Sequence, residues 1–319
     1  MHPKVSDADF VKLFDTLGAH KTARQTNMHL RSVYSRRERL EQTIGRQITA
    51  PTQPTGSGGT RHHIAHSHRV HLDVQSGIVL VGSDAHIWPG PLTTAMRGFI
   101  RFCKELKPAA VILNGDVLDF PQISRHPPIG WTKLPSVQEE VEAAQDVLAK
   151  IEKVTFKTRK IWTLGNHDSR FETRIATIAP EFAKVAGTSL RDHFPNWEPC
   201  WSAWINDNTV VKHRFKGGDH APFNNAIKSG KHMITGHLHS AKVIPWSDYN
   251  GTRYGVDGGC LAEPEAKAFV DYTEDNPKNW RSGFVVLTYN EGELLPPELV
   301  LCHEIKRDCI IFRGEVIKV

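Results

Sequence analysis

The sequence predicts an α/β protein preceded by a small all-α domain, and three observations predict it. From residue 78 onward, short apolar runs rich in Val, Ile and Leu recur, and each stops at acidic, amide or imidazole side chains. A long helical stripe from Val137 to Ile151 falls between two of these runs, as in alternating strand–helix folds. Residues 49–60, Thr-Ala-Pro-Thr-Gln-Pro-Thr-Gly-Ser-Gly-Gly-Thr, offer no large side chain to pack, so they read as a flexible linker. The expected organisation is therefore a helical domain over 1–48, a linker over 49–60 and a catalytic-type domain over 61–319.

In the first domain, Phe10, Leu13, Phe14 and Leu17 recur at helical spacing, with Asp7 as a candidate cap and Gly18 as the stop. A second short helix is expected over 21–27. A third is expected over 30–44, with Leu30, Val33, Leu40 and Ile44 as its apolar stripe and Gly45 as its stop. Arg31, Ser32, Ser35, Arg36, Arg37 and Arg39 cover much of its remaining surface. Residues 1–50 hold nine Lys and Arg against five Asp and Glu, so most of the formal +5 charge sits here. An apolar stripe with an arginine-rich face suits a DNA groove and its phosphates. Residues 7–45 resemble a helix-turn-helix domain, in which Leu17 to Arg24 spans the end of the first helix and the start of the second. Met28 to Arg37 then gives the turn and recognition helix. The resemblance implies duplex DNA as a partner, in a chain that can form a homo-oligomer; a dimerisation or protein-docking unit is the alternative.

Downstream, Ile78–Val81 runs into Gly82-Ser83-Asp84-Ala85-His86, and Ala110–Leu113 into Asn114-Gly115-Asp116-Val117-Leu118-Asp119. Lys160–Leu164 runs into Gly165-Asn166-His167-Asp168, Thr209–Lys212 into His213, and Met233–Thr235 into Gly236-His237-Leu238-His239. Open α/β sheets place their sites at such strand ends. Asp84 and His86, two apart, point the same way on an extended strand and can reach one ion. Mixed carboxylate, imidazole and amide donors suit Mn, with Fe or Zn as alternatives. Two such ions, about 3.5–4 Å apart, would clamp phosphoryl oxygens for in-line attack. Singly, each residue has an ordinary structural role available, such as a helix cap for Asp116 or Asp119. Jointly the set points to a binuclear metal centre.

These motifs, in order over residues 75–270, resemble the calcineurin-like metallophosphoesterase superfamily. The resemblance implies a four-layer α/β/β/α sandwich of two sheets flanked by helices. It implies Asp84, His86 and His239 as ligands of one ion, Asp116 as the bridge, and Asn166, His213 and His237 as ligands of the other. His167 would touch the substrate phosphate and protonate the leaving oxygen, with Asp168 orienting it and Asp119 in support. His213 lacks the Gly that usually follows it, so His220 is its competitor. Arg170 stands where the Ser/Thr protein phosphatases also carry an arginine, but Asp119-Phe120-Pro121 lacks the Arg-Gly of that branch, which argues against that activity.

Elsewhere, Ser136 and Glu139 form a capping box ahead of the helix over 136–153. A helix is expected over 169–185, interrupted at Pro180. His62, His63, His66, His68 and His71 alternate with Ile64, Val70 and Leu72 and read as a strand. The runs over 283–289, 299–303 and 309–319 read as strands completing the second sheet. Trp131, Trp197, Trp201 and Trp204 can fill the core or stack on bases. No apolar run reaches the roughly 18 residues of a membrane span. Five widely spaced Cys argue for a reducing compartment, and Met1-His2-Pro3-Lys4 lacks a signal-peptide start, so the expected location is cytoplasmic. The expected function is a two-metal phosphoester hydrolase, a DNA phosphodiesterase or nuclease. One alternative is a hydrolase of nucleotides, cyclic nucleotides or pyrophosphate linkages whose N-terminal domain serves regulation or assembly. Another is a non-catalytic DNA-binding protein with a structural metal site.

Overall fold

The computed structural model describes residues 5–46, 48, 66–126, 130–131, 133–266, 269, 273, 276 and 278–319. The stretch 49–60, together with His62, His63 and Ile64, lies outside them. The chain divides into two compact units, Met1–Arg61 and His62–Val319.

The first unit contains α1 (Asp7–Thr26) and α2 (Leu30–Ile44). Gly18, at φ 75° and ψ 170°, breaks α1 where the sequence expects a first helix to end. Ser6 rather than Asp7 is the cap, its hydroxyl accepting from the Asp9 N–H. Asp7 instead pairs with Arg36 at 2.5 Å. Phe10, Phe14, Val33, Leu40 and Ile48 form the core of this unit. Ile44, expected in the stripe, is exposed because α2 ends at Gly45 in the left-handed region.

The second unit is a sandwich of two sheets. The nine-stranded sheet is built from β2 (Gly77–Gly82), β3 (Ala110–Asn114), β4 (Arg159–Thr163), β5 (Glu198–Cys200), β11 (Gly283–Asn290), β12 (Glu293–Leu294), β13 (Glu298–Cys302), β14 (Cys309–Phe312) and β15 (Glu315–Lys318). Its order is β15-β14-β13-β11-β2-β3-β4-β5, with β12 on β11. β2, β3, β4 and β5 run parallel, so their polar ends gather on one edge. The six-stranded sheet has the order β1-β6-β7-β8-β10-β9, from β1 (Val70–Leu72), β6 (Ala203–Ile205), β7 (Thr209–Val211), β8 (His232–Thr235), β9 (Lys242–Asp248) and β10 (Gly251–Asp257). The C-terminal strands thus extend the sheet that carries the first motifs, not the second sheet. β11 pairs antiparallel with β2, where Val285 and Leu287 meet the central core.

Alternation assigns the faces. Val79 and Val81 of β2 and Ala110 and Ile112 of β3 point into the core between the sheets. Leu80, Val111 and Leu113 point out, toward α3 (Thr94–Leu106) and α4 (Val137–Val154). After the short helix α6 (Leu190–His193), α7 (Ala221–Ser229) packs on β8 and β10 of the other sheet, completing the α/β/β/α layering. Four layers are the expected architecture. Helix α5 (Arg170–Ile178) stops before Pro180, and a single 3₁₀ turn, Pro180–Phe182, follows.

The capping box of α4 forms as expected, Ser136 accepting from the Glu139 N–H while Glu139 accepts from the Ser136 N–H. The same helix buries Glu140, whose Oε1 accepts the N–H groups of Asp119 and Phe120. Burial pushes its pKa up to about 8 against those donors. The folded chain therefore holds a proton that the unfolded chain releases near 4.5. This contribution is fully present below 4.5 and is lost as pH rises toward 8. Urea denaturation across that range should show Glu140→Gln losing less stability than the wild-type chain; equal slopes would contradict a protonated Glu140.

Candidate metal centre

The loops after the parallel strands are built against one another. The Asp84 N–H donates to the Gly115 carbonyl, His86 N–H to Asp116 O, and Ile87 N–H to Val117 O, continuing the β2–β3 register past the strands. Asp84, His86, Asp116, His237 and His239 all adopt positive φ, between 40° and 73°. Non-glycine residues rarely hold this conformation without a compensating role. Gly236 precedes His237 because a Cβ there would collide with Asp84 Oδ2, and Gly165 because one would collide with Asp116 Oδ1.

Three groups of donor atoms result: Asp84, His86 and His239; His86, Asp119 and His167, which shares His86 with the first; and Asp116, His213 and His237, each set lying within 4.8 Å. His239 Nε2 is 3.1 Å from Asp84 Oδ1, and His213 Nε2 is 3.1 Å from Asp116 Oδ2. His213 Nδ1, 4.0 Å from Asp84 Oδ1, links the first group to the third. The same Nδ1 lies 3.0 Å from the Asn114 carbonyl, a contact that leaves the Nε2 lone pair for an ion.

The residues fit a metal pair. Asp84 and Asp116 are almost wholly inaccessible to water. His86 Nε2, His213 Nε2, His239 Nδ1 and Asn166 Oδ1 are buried without a hydrogen-bond partner among the described residues. Buried acceptors of this kind are costly unless something satisfies them. Burial opposes ionisation of Asp84 and Asp116, but the facing imidazoles outweigh it and hold both carboxyls below their usual range. Burial likewise opposes charging His213, but Asp84 and Asp116 push it up to about 10. The pocket thus favours positive charge, which divalent ions, when bound, would supply in place of protons.

His167 stands beside this cluster, its ring centroid 5.0 Å from that of His86. Its orienting partner is Asp119, not Asp168. His167 Nδ1 is 2.5 Å from Asp119 Oδ1. Asp168 is wholly buried and accepts the N–H groups of Asp116, Val117, Leu118 and Gly165 and the indole N–H of Trp162. Its oxygens tie the second and third motif loops together and are spent there. Burial opposes charging of Asp119, yet the His167 and His86 hydrogen bonds keep it ionised and lower its pKa. Burial also opposes charging of His167, but Asp119 and Asp116 raise its pKa. Arg170 donates to the Asp119 carbonyl at 2.7 Å and comes within 3.3 Å of His167 Nε2. His220 is exposed at the start of α7, away from the buried donors, so His213 is the histidine in the cluster.

The sequence does not single out Phe269 and Trp280. Phe269 packs edge-on against His86 at 5.1 Å, and Trp280 against His239 at 4.5 Å. Glu140, below Asp119, also goes unflagged. Of the tryptophans, Trp197 is core, Trp201 is partly exposed and Trp131 fully exposed. His66 faces Glu172 at 2.8 Å, remote from the donor groups in its contacts. The five Cys are free thiols; burial pushes Cys103 and Cys200 up to about 12, Cys302 up to about 11 and Cys260 well above its usual value, which keeps these four protonated.

In the N-terminal unit, Arg36 donates to the Val5 carbonyl and Asp7 and lies 4.7 Å over the Phe10 ring. Arg37 lies over Phe14 and pairs with Glu41 at 3.5 Å, and Arg39 is 3.8 Å from Asp7. Arg31, Ser32 and Ser35 are exposed on α2.

A two-sheet sandwich with a histidine–carboxylate cluster at its strand ends is the arrangement that calcineurin-like metallophosphoesterases imply. No known protein-family profile matches the chain. It is 26% identical over 253 residues to the Gene 54 protein of Mycobacterium phage D29, covering 70% of this chain and 92% of that protein. The Gene 54 protein of Mycobacterium phage L5 is 25% identical over 252 residues, with the same coverage. Among solved structures it is similar to Yfce, a phosphoesterase from E. coli (13% identity, 69% of this chain and 97% of that one, TM-score 0.31). It is also similar to Chaetomium thermophilum Vps29 (10%, 76% and 97%, TM-score 0.39) and to a dimetal phosphatase from Danio rerio (10%, 72% and 96%, TM-score 0.37). None of these scores reaches 0.5, so the fold and site stand on the strand order and side-chain geometry. Among the described residues, no helix is long and apolar enough to cross a membrane.

His213→Ala should cost the protein bound Mn, counted per chain by elemental analysis after loading and desalting, while His220→Ala should not. Equal metal content in all three proteins would remove His213 from the ligand set.

Proposed function

We propose that the protein is a two-metal phosphoester hydrolase acting on phosphodiesters, with DNA as the favoured substrate. The adjacency of two donor groups, Asp84–His86–His239 and Asp116–His213–His237, joined through His213 and flanked by His167, carries this reading. Asp84, His86 and His239 would hold one ion and Asn166, His213 and His237 the other, with Asp116 reaching both. Mn, Fe or Zn suits these donors. Such ions, when bound, neutralise the phosphoryl oxygens and supply an activated water.

The chain's own residues do the rest. Asp119 fixes the His167 ring and favours its protonated form, so that a proton is available for the departing oxygen. Arg170, next to His167 Nε2, adds positive charge where a phosphate would sit. A merely structural metal site has no use for a histidine held ready beside the ligands, which argues against the non-catalytic alternative. Loss of the imidazole should lower kcat by about 10²–10⁴-fold. Mn-dependent hydrolysis of bis(p-nitrophenyl) phosphate by wild type and His167→Ala measures this; undiminished turnover in the variant would mean His167 is not the acid.

The DNA reading rests on the N-terminal unit, with its basic charge and its exposed Arg31, Ser32 and Ser35. A linker to such a unit would raise the local concentration of DNA at the hydrolase. One observation favours the small-molecule alternative: Arg36, Arg37 and Arg39 are engaged within the unit and offer less to a phosphate backbone. Deleting residues 1–48 distinguishes the two. Weaker duplex binding with a flatter salt dependence supports DNA recognition. Unchanged binding leaves regulation or assembly as the role of this unit.

A further inference from the structure

A cavity of about 520 Å³ opens where the metal ligands end. Leu238, which lies between His237 and His239, lines it with Ser240, Lys242, Asn276, Lys278 and Trp280. The Trp280 ring also packs on His239, so cavity and metal centre share a wall. A scissile phosphate held by the ions needs none of these groups. Lys242 donates to the Asp219 carbonyl at 3.4 Å, and Lys278 to the Pro264 carbonyl at 2.8 Å while lying 5.4 Å over the Trp280 ring. An ammonium has three donors, so among the described residues both lysines keep donor capacity for a ligand. Among the described charged residues that line the cavity, Asp219 offsets one lysine and leaves a single positive charge. That matches the one negative charge of a phosphodiester better than the several of a terminal polyphosphate. The volume lies in the range of small-ligand sites, and an aromatic wall offers a stacking surface to any base.

We propose that this cavity is the subsite for the nucleotide adjoining the scissile phosphate in a single-stranded polynucleotide, with Lys242 and Lys278 gripping its phosphate and Trp280 flanking its base. The proposal rests on the phosphodiesterase reading and names its substrate class. The test uses the full-length Mn-loaded chain and the double variant Lys242→Ala/Lys278→Ala. Its substrates are an oligothymidylate, thymidine 5′-triphosphate and bis(p-nitrophenyl) phosphate, the last being too small to reach past the centre. KM for the oligonucleotide should rise about tenfold, as the loss of charge-assisted contacts implies, with kcat for both diesters and KM for the small ester within about twofold. The Lys242→Arg/Lys278→Arg variant should restore most of the oligonucleotide KM. An unchanged oligonucleotide KM, or an equal loss on both diesters, overturns the proposal. So does a KM effect confined to thymidine 5′-triphosphate, which would make the occupant a free nucleotide. If neither ester is hydrolysed, the hydrolase reading itself falls. Anisotropy of a fluorescent trithymidylate, too short for duplex recognition, then tests the cavity alone: weaker binding by the double variant supports the subsite, and equal binding overturns it.

Discussion

Two carboxylates, Asp84 and Asp116, are buried beside one another with almost no access to water, and most of the second unit can be understood as the means of tolerating this. A desolvated anion is costly, and two close together are worse. Imidazoles alone compensate only by staying protonated, which is why His213 is driven so far above its usual range. Bound cations would remove that requirement and would satisfy the orphaned His and Asn atoms at the same time. The parallel strands bring the acids together. The glycines let Asp84 and Asp116 approach the loops that carry their partners. The left-handed conformations then turn the side chains inward.

The same constraint explains what was legible in the sequence. Strand cores such as Ile78–Val81 and Ala110–Leu113 show as apolar runs, and their polar ends show because donor-type residues directly follow them. The choice between His213 and His220 also follows from proximity to a strand. The pairing of His167 does not. Asp168 is its neighbour in sequence, but in the tight turn after β4 it points down into five donors. The carboxylate that reaches the ring comes from 48 residues earlier. Sequence adjacency says little about direction in a turn, and partners supplied by another loop leave no local signature. Phe269, Trp280 and Glu140 escape notice for the same reason. Helix α3 is different, since its stripe of Ala95, Met96, Phe99, Phe102 and Cys103 is visible in the chain but is preceded by a Pro- and Gly-rich segment that masks its start.

Helix periodicity in the first unit finds the apolar face of α2 but not the fate of its arginines. Arg36 lies along Phe10 with its charge on Asp7, because a long stem can cover apolar surface while its head pairs at the rim. Net charge therefore overstates what such a helix can offer to a polyanion. Among the described residues of this helix, the arginine with no acidic partner is Arg31, toward its N-terminal end.

Five proposed ligands in left-handed backbone would together cost several kcal/mol, at about 1–3 kcal/mol each, if nothing over-determined them. Asp168 is one answer, because it pins the second and third motif loops through their backbone whether or not the imidazoles are charged. Glu140 is another, because it holds the Asp119–Phe120 backbone from beneath. Asp168 thereby fixes where the ligand Asp116 stands, and Glu140 fixes Asp119, the partner of His167. Ion binding would add to this, since whatever binds the folded site but not the unfolded chain stabilises the fold. The strain, the buried acids and the proposed ions would thus form one balance: the backbone is held in a costly shape by Asp168 and Glu140, so that the donor groups already stand in place for a metal pair.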